Sequence, residues 1–147
     1  DEIRMVNQIY RWFIDEGLVE SEIAGRLNGM KVRTDLDRAW TRATVHEVIT
    51  NEKYIGNNVY NRVSFKLKKL RVINTPDMWI KKERAFDPIV SPDVFYTAQG
   101  IVRARAIVDY RNKNGPFKSA QDLARVKGVG KKMIQRNLHW NLRRIIF

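Results

Sequence analysis

Five basic side chains lie within ten residues near the middle of the chain, where they could hold the phosphates of a nucleic acid. They are Arg62, Lys66, Lys68, Lys69 and Arg71. Phe65 and Leu67 alternate with lysines, and this alternation is typical of a β-strand. A hairpin with an apolar inner face and a basic outer face would suit a phosphate backbone. The structural alternative is a basic edge strand, because lysines also prevent strands from pairing with other chains.

A second candidate phosphate site lies towards the C-terminus, around the Gly-Val-Gly sequence at residues 128–130. Two closely spaced glycines predict a tight turn that presents bare backbone N–H groups at the start of the next helix. Such groups bind a phosphate without reading base sequence. The candidate contacts are Lys127, Gly128, Gly130, Lys131 and Lys132. An ordinary turn is the alternative interpretation.

The pattern of residues 40–60, just before the basic segment, predicts a short helix followed at once by a strand. Thr44 and Glu47 fit a Ser/Thr-x-x-Glu capping box, while Thr41 is a competing N-cap one turn earlier. Aliphatic residues spaced i, i+3 and i+4 within residues 45–49 predict one buried face. Arg42, Thr44 and His46 are the candidate groove contacts, and Arg38 and Lys53 are candidate phosphate contacts. The residue types fit equally well a helix that only packs.

Two further helices are predicted before this one, over residues 2–16 and over residues 22–28 with Ser21 as the N-cap. Three helices in this order are typical of helix-turn-helix folds, whose last helix enters the major groove. Residues 1–37 carry 5 Lys/Arg and 8 Asp/Glu, a net charge of −3. Residues 38–105 carry +7 and residues 106–147 carry +8. The binding surface is therefore expected in the middle and C-terminal parts, with the N-terminal helices as a support.

Residues 40–60 also carry a family resemblance. Their pattern resembles W-x(4)-V-x-x-I-L-x-N-x-x-Y-x-G, the signature of the recombinase domain in large serine recombinases. The matching residues are Trp40, Val45, Val48, Ile49, Asn51, Tyr54, Gly56 and Tyr60. Further blocks at residues 23–28 and 86–99 extend the resemblance from Ile3 to about Arg105. The resemblance implies binding of DNA at a recombination site.

A second, separate resemblance covers residues 105–138. The blocks Ala106–Arg111, Asn114–Ser119, Asp122-Leu123 and Val126–Lys132 are similar to the helix-hairpin-helix module of competence-type DNA receptors. Ser119 and Asp122 fit a capping box in which Asp replaces the usual Glu. This resemblance implies a contact to the DNA backbone that does not depend on sequence.

Catalytic chemistry is not evident in the chain. The recombinase resemblance implies a separate catalytic domain with a nucleophilic serine and an arginine cluster, and nothing here matches it. Ser21, Ser91 and Ser119 fit helix caps, and Ser64 lies in a predicted strand. The family's zinc ribbon needs cysteines, and the chain has none. We therefore expect a non-catalytic fragment that uses no cofactor and no metal; the start at Asp1 without a Met also suggests a fragment.

The 147 residues, with a net charge of +12, suit one domain plus a small module and an anionic partner. The predicted fold is α+β and mostly helical: a helix-turn-helix-like three-helix unit with a small antiparallel sheet over residues 1–105, then a helix-hairpin-helix over 106–147. The expected partner is double-stranded DNA, with possible self-association in a recombinase assembly and no membrane. The expected location is the cytoplasm of a bacterium, at the nucleoid, with the gene bacterial or phage-borne.

The predicted function is sequence-directed DNA binding as the targeting part of a site-specific serine recombinase or integrase. The first alternative is a scaffold for DNA repair or uptake that binds DNA without sequence preference through the helix-hairpin-helix. The second is an RNA-binding module, although the chain lacks the aromatic stacking motif of the common RNA-binding sheets.

Overall fold

The computed structural model describes residues 2–66 and 70–130. Its helices are α1 (Glu2–Ile14), α2 (Glu20–Gly29), α3 (Arg42–Thr50) and α4 (Pro92–Asn114). Its strands are β1 (Asn58–Tyr60), β2 (Val63–Lys66), β3 (Leu70–Ile73) and β4 (Ile80–Lys82). Short 3₁₀ helices cover Glu52–Ile55, Pro76–Met78 and Ala120–Arg125. The chain divides into two compact units, one ending at Ala98 and the other beginning at Gln99. The mostly helical α+β prediction is confirmed.

The core of the first unit is formed where α1, α2 and α3 pack together. The largest side chains that it encloses completely are Tyr10, Phe13, Ile9, Ile23, Leu27, Ile49 and Val45. The predicted apolar faces of all three helices are therefore the faces that pack. Burial of the seven apolar side chains is the main stabilising contribution in this unit.

Tyr10 attaches α1 to the C-terminal end of α3. Its hydroxyl donates to the carbonyl oxygens of Val48 and Ile49, at 3.1 and 3.0 Å. These carbonyls belong to the last turn of α3, whose C=O groups have no partner within the helix. Burial, with a smaller contribution from Tyr54, raises the pKa of the Tyr10 hydroxyl far above its ordinary value. The hydroxyl therefore remains a donor, and it fixes the end of α3 against α1.

The structure corrects two predicted helix starts. Helix α3 begins one turn earlier than the Thr44 capping box predicts, with Thr41 as the N-cap. Its Oγ1 accepts from the Thr44 N–H at 3.2 Å, and the Thr44 Oγ1 accepts from the Thr41 N–H at 2.8 Å. Helix α2 begins at Glu20, so Ser21 lies inside it and is not the cap. The Glu22 carboxylate supplies the missing cap by accepting from the Val19 N–H at 2.9 Å.

The four strands form two separate two-stranded antiparallel sheets in the described part of the chain. Strand β1 pairs with β4, with Tyr60 opposite Ile80. Strand β2 pairs with β3, with Val63 opposite Ile73. Strand β4 therefore belongs to the sheet of β1 and not to that of the hairpin. Pro76–Met78, before β4, is a 3₁₀ turn, because the proline fixes φ and lacks a backbone donor.

The second unit is built on the C-terminal half of α4. Leu123, Val126 and Val129 form its buried cluster, and Ala106, Ile107, Tyr110, Phe117 and Ala124 pack against them. The rings of Tyr110 and Phe117 stack with centroids 5.5 Å apart. Asp122 accepts from the Lys118 and Ser119 N–H groups at 3.0 and 3.1 Å, which confirms the predicted capping box.

Candidate nucleic-acid interface

Helix α3 presents a polar face opposite its buried residues. Arg42, Ala43 and Glu47 are exposed, while Val45, Val48 and Ile49 are buried in the core. The residues just before the helix are held by hydrogen bonds between Trp40 and Asn28. The Trp40 backbone N–H donates to the Asn28 side chain at 2.9 Å. The Asn28 amide in turn donates to the Trp40 carbonyl at 2.9 Å. These paired bonds, together with the Tyr10 bonds at the other end, hold α3 rigidly on the core.

His46 is held by a carboxylate of the neighbouring helix. Its Nδ1 lies 3.1 Å from Oε1 of Glu20, on α2, and its side chain is 42% exposed. Burial raises the pKa of Glu20, but hydrogen bonds from its own backbone and from His46, with the charges of His46 and Arg42, outweigh burial and lower that pKa overall. An ionised Glu20 favours a proton on Nδ1. The other ring nitrogen then accepts hydrogen bonds in the neutral form and donates them in the protonated form.

Thr44 has a structural role that accounts for its position. Its hydroxyl donates to the Thr41 carbonyl at 2.9 Å and accepts from the Thr41 N–H at 2.8 Å. Both interactions belong to the cap of α3, and a hydroxyl has only one proton to donate. A contact from Thr44 to DNA stays a prediction. In such a contact the Thr44 hydroxyl could only accept a hydrogen bond, because its proton is already donated to the Thr41 carbonyl.

Arg38 and Lys53 are exposed and flank α3 in sequence. The Arg38 N–H donates to the Thr34 side chain at 3.1 Å, and its carbonyl accepts from the Thr34 N–H at 3.0 Å. The Lys53 N–H donates to the Asn51 side chain at 3.1 Å. Both cations therefore extend from ordered backbone, as a phosphate contact requires.

Arg62, which the sequence groups with the other cations of the basic segment, lies beside α3 in the structure. It lines a shallow groove with Ala43, His46, Glu47, Thr50 and Asn51. Its guanidinium lies over the Trp79 ring, 4.9 Å from the centroid, which restrains an exposed cation beside α3. Glu47 was not among the candidate DNA contacts, although a carboxylate on a groove-facing helix accepts from the cytosine amino group. No local pattern could reveal this groove, because Arg62 follows α3 by a turn and a strand.

The β2–β3 hairpin differs from its prediction. Phe65 lies directly opposite Arg71, and Lys66 lies opposite Leu70. Directly opposed residues share a face of an antiparallel pair, so Arg71 lies on the same face as Phe65. Phe65 is 64% exposed and Ile73 is 77% exposed. The predicted apolar inner face is therefore wrong, since these side chains are not buried. Lys68 and Lys69 lie outside the described residues.

The Gly-Val-Gly segment of the second unit contains a turn at the predicted place, and the helix predicted to follow it lies outside the described residues. Gly128 adopts a left-handed conformation with φ of 88°, where other residues are strained. Val129 is buried, and its N–H donates to the Val126 carbonyl at 3.0 Å. Lys127, Gly128 and Gly130 are exposed around this anchor, and Lys131 and Lys132 lie outside the described residues. The assignment of these five residues to DNA stays a prediction.

Gly56 connects the segment after α3 to the loop before α4. Its φ is 83°, and a Cβ there would lie 2.4 Å from the Phe86 carbonyl oxygen. Its own carbonyl accepts from the N–H groups of Ala85 and Phe86, at 2.7 and 3.1 Å. Tyr54 accepts in the same way from Ile89 and Val90 at 2.8 and 2.9 Å. The glycine of the recombinase signature is thus explained by the path of the backbone rather than by DNA.

An ion pair reinforces this connection. Lys81 Nζ lies 2.7 Å from Oε2 of Glu52, and Asn57 donates to the same oxygen at 2.9 Å. Burial raises the pKa of Glu52, but the hydrogen bonds from Lys81 and Asn57 and the Lys81 charge lower it overall. The hydrogen bond to Glu52 is the main cause of a raised pKa at Lys81. The pair therefore stabilises the charged form of both side chains.

A family model described as Recombinase matches residues 1–105, more than half of the chain. This chain belongs to the Recombinase family. A model of the helix-hairpin-helix motif matches residues 98–140. The Recombinase chain therefore carries the two predicted parts in the predicted order. Both matches concern DNA, and they identify a DNA-binding, recombinase-related protein.

The Recombinase chain is also similar to a Haemophilus influenzae protein named "Uncharacterized protein", at 44% identity over 41 residues. The match covers 28% of this chain and 37% of that protein, so it concerns only a part of each. No solved structure matches the Recombinase chain. Within residues 2–66 and 70–130, no helix combines the length and the hydrophobicity that crossing a membrane requires.

Proposed function

We propose that this chain is the targeting part of a site-specific serine recombinase or integrase, and that it binds double-stranded DNA in a sequence-directed manner. The observation that carries the proposal is helix α3. It is fixed at both ends to a three-helix core, and it presents the exposed residues Arg42 and Glu47 beside Arg62. A rigid helix with a polar face is the element that helix-turn-helix proteins place in the major groove.

The assigned roles follow from side-chain chemistry. Arg42 has the planar fork that binds guanine O6 and N7 in a bidentate manner, and the ring of His46 offers one nitrogen to a base edge. Arg38, Lys53 and Arg71 are exposed cations that would hold phosphates and fix the register of the helix. Lys66, Lys68 and Lys69 are assigned to phosphates with them.

The turn at Gly128 would bind a flanking stretch of the DNA backbone. Gly128 and Gly130 have no side chains that would cover the turn, and Lys127 adds an exposed charge next to it. Backbone N–H groups in such a turn bind an anion through their shape and dipoles and do not distinguish bases. We therefore assign sequence preference to the first unit and added affinity to the second.

We assign no catalytic role to the serines that the structure describes. Ser91 accepts from the Val94 N–H at 3.4 Å, as a helix cap does. Ser64 donates to the Asn74 side chain at 2.9 Å. Ser119 is the N-cap residue of a 3₁₀ helix, and Ser21 lies on the exposed side of α2. We propose that strand cleavage belongs to a separate catalytic domain.

A second candidate function is a DNA scaffold without sequence preference, in repair or uptake. One observation favours it: Thr44 and His46, two of the three predicted groove contacts, already have partners within the protein. The helix-hairpin-helix would then dominate binding, and the first unit would serve contacts with other proteins.

Selection from a pool of random duplexes separates the two candidates. The protein is passed repeatedly over the pool, and the recovered duplexes are titrated beside the unselected pool at several salt concentrations. The proposal predicts a consensus that is bound about a thousandfold more tightly than the pool. Tight binding with a steep salt dependence and no consensus would support the scaffold instead. Absence of binding to any duplex would contradict both.

A further inference from the structure

One face of the β2–β3 hairpin is apolar and exposed. We call it the hairpin face, and its residues are Val63, Phe65, Arg71 and Ile73, as the strand register places them on one side. Phe65 is 64% exposed and Ile73 is 77% exposed, while Val63 is half-buried. Cross-strand neighbours lie about 5 Å apart, so these side chains form one continuous patch.

The base of the hairpin is held rigidly. The buried Asn74 side chain accepts from Ser64 at 2.9 Å and donates to the Asn61 carbonyl at 2.8 Å. The Trp79 indole donates to the Asn74 carbonyl at 3.0 Å, and Asn61 donates to the Met78 carbonyl at 2.9 Å. This network fixes the base of the hairpin and orients the hairpin face. The exposed position of Phe65 therefore does not come from a loosely attached loop.

The charge around the hairpin face indicates its partner. Residues 53–76 contain six Lys/Arg side chains and no Asp or Glu. A surface that interleaves apolar side chains with cations in this way repels basic proteins and attracts a polyanion. Proteins that bend DNA from the minor groove combine the same two features, because an apolar wedge enters between base pairs while cations hold the phosphates.

We propose that the hairpin face lies in the minor groove of DNA and that Phe65 wedges between adjacent base pairs and bends the duplex. This inference rests on the proposed function, since it presumes binding to DNA. Arg71, directly opposite Phe65, supplies the cation that holds the widened groove. Ile73 and Val63 cover the base and sugar surfaces that the bend exposes. The bend would bring more DNA into contact with the protein and contribute sequence preference through the flexibility of the kinked step.

Ring closure of a short DNA fragment tests the bend without knowledge of the site. A mixed-sequence fragment of about 100 base pairs lies below the persistence length of about 150 base pairs, so it closes slowly on its own. We expect the wild-type protein to accelerate closure by DNA ligase at least about tenfold. Phe65→Ala should abolish the acceleration while lowering affinity less than about threefold, because the phosphate contacts remain.

Ile80→Ala is the matched control, because Ile80 is 62% exposed and also lies on a strand, β4. It should bend DNA as the wild type does. The loss of affinity caused by Phe65→Ala should be equal on thymine-containing and uracil-containing duplexes, because the methyl group that distinguishes them lies in the major groove.

Four results would overturn the inference. DNA binding without accelerated closure would refute the bend and leave the proposed function intact. A loss in Phe65→Ala that is smaller on uracil duplexes than on thymine duplexes would place the hairpin face in the major groove. A change from dimer to monomer in Phe65→Ala, measured by sedimentation without DNA, would make the face a contact between protein copies. Failure of the wild type to bind any DNA would overturn the proposed function together with the inference.

Discussion

Helix α3 and the β2–β3 hairpin lie close in sequence and are built in opposite ways. Helix α3 buries its three aliphatic residues and uses much of its polar chemistry within the protein, through Thr44 and His46. The hairpin exposes Phe65 and Ile73 and carries a dense set of cations. A rigid helix that keeps Arg42 and Glu47 exposed suits recognition of sequence, whereas an exposed cationic element suits affinity and deformation of DNA. We therefore assign specificity to α3 and affinity to the hairpin.

The largest expected difference concerns stability, because one phenylalanine lies in the core that supports α3 and another lies on the hairpin. Phe13 is completely buried beneath α3, and Phe65 is 64% exposed on the hairpin. Phe13→Ala should cost about 3–5 kcal/mol of unfolding free energy through a lost contact and a cavity. Phe65→Ala should change it by less than about 0.5 kcal/mol. Urea titration followed by circular dichroism measures both, and similar losses would show that the hairpin is part of the core.

Charge reversal of the hairpin is expected to reduce binding to every sequence. Replacing Lys68, Lys69 and Arg71 by Glu should lower affinity by roughly a thousandfold at about 0.1 M salt, since each phosphate contact contributes about tenfold. The dependence of log affinity on log salt should flatten by about 3, by the same counterion release. Fluorescence anisotropy at four salt concentrations measures both quantities. Unchanged affinity would remove the hairpin from the interface.

Removal of the Arg42 guanidinium is expected to act on specificity. Arg42→Ala should cost about 1–3 kcal/mol on the selected duplex and much less on random DNA, because a bidentate base contact is lost. Repeated selection with the variant should return a consensus that is relaxed at one position. Arg11→Ala is the control, since it removes an exposed arginine from α1, outside the interface. Equal losses for selected and random DNA would make Arg42 a phosphate contact.

The smallest expected effect concerns the Glu52–Lys81 pair, whose two residues flank the hairpin in sequence. The pKa of Glu52 is lowered, so its contribution is present above the unfolded value of about 4.3 and is lost as pH falls through the folded value. The pKa of Lys81 is raised, so its contribution is present below about 10.4 and is lost as pH rises through the folded value.

Glu52→Gln should therefore cost about 1 kcal/mol near neutral pH and flatten the dependence of stability on pH at both limits. Thermal unfolding from pH 3 to pH 11 measures this profile. Glu83→Gln is the control, because Glu83 also faces Lys81 but at 3.7 Å and with a side chain that is 75% exposed. An unchanged profile in Glu52→Gln would show that the pair contributes nothing to stability.

Much of the first unit could be predicted from its sequence, because helix packing follows local spacing. The aliphatic residues at positions 45, 48 and 49 predict the buried face of α3, and that face is the one that packs. The start of α3 could not be decided, because Thr41 and Thr44 both fit a cap and the structure uses the hydroxyls of both. The prediction of Ser21 as the N-cap of α2 is wrong, because the Glu22 carboxylate accepts from the Val19 N–H at that end of the helix.

The hairpin and the groove were less predictable, since both depend on contacts distant in sequence. The alternation of Phe65 and Lys66 predicts a strand correctly, but the pairing of Lys66 with Leu70 puts Arg71 on the face of Phe65. Whether that face is covered depends on the rest of the fold, not on alternation. The partnership of His46 with Glu20 spans 26 residues, and Arg62 is also distant in sequence from Trp79, so neither leaves a local signal.

The division between a reading helix and an affinity-providing hairpin is tested most directly by the ratio of affinities for the selected duplex and for random DNA. The ratio is measured at one salt concentration for the wild type, for Arg42→Ala, and for the variant with Glu at positions 68, 69 and 71. We predict that Arg42→Ala lowers the ratio at least about tenfold, by loss of a base contact. The hairpin variant should lower both affinities and keep the ratio within about threefold. Equal effects of the two variants on the ratio would contradict the division.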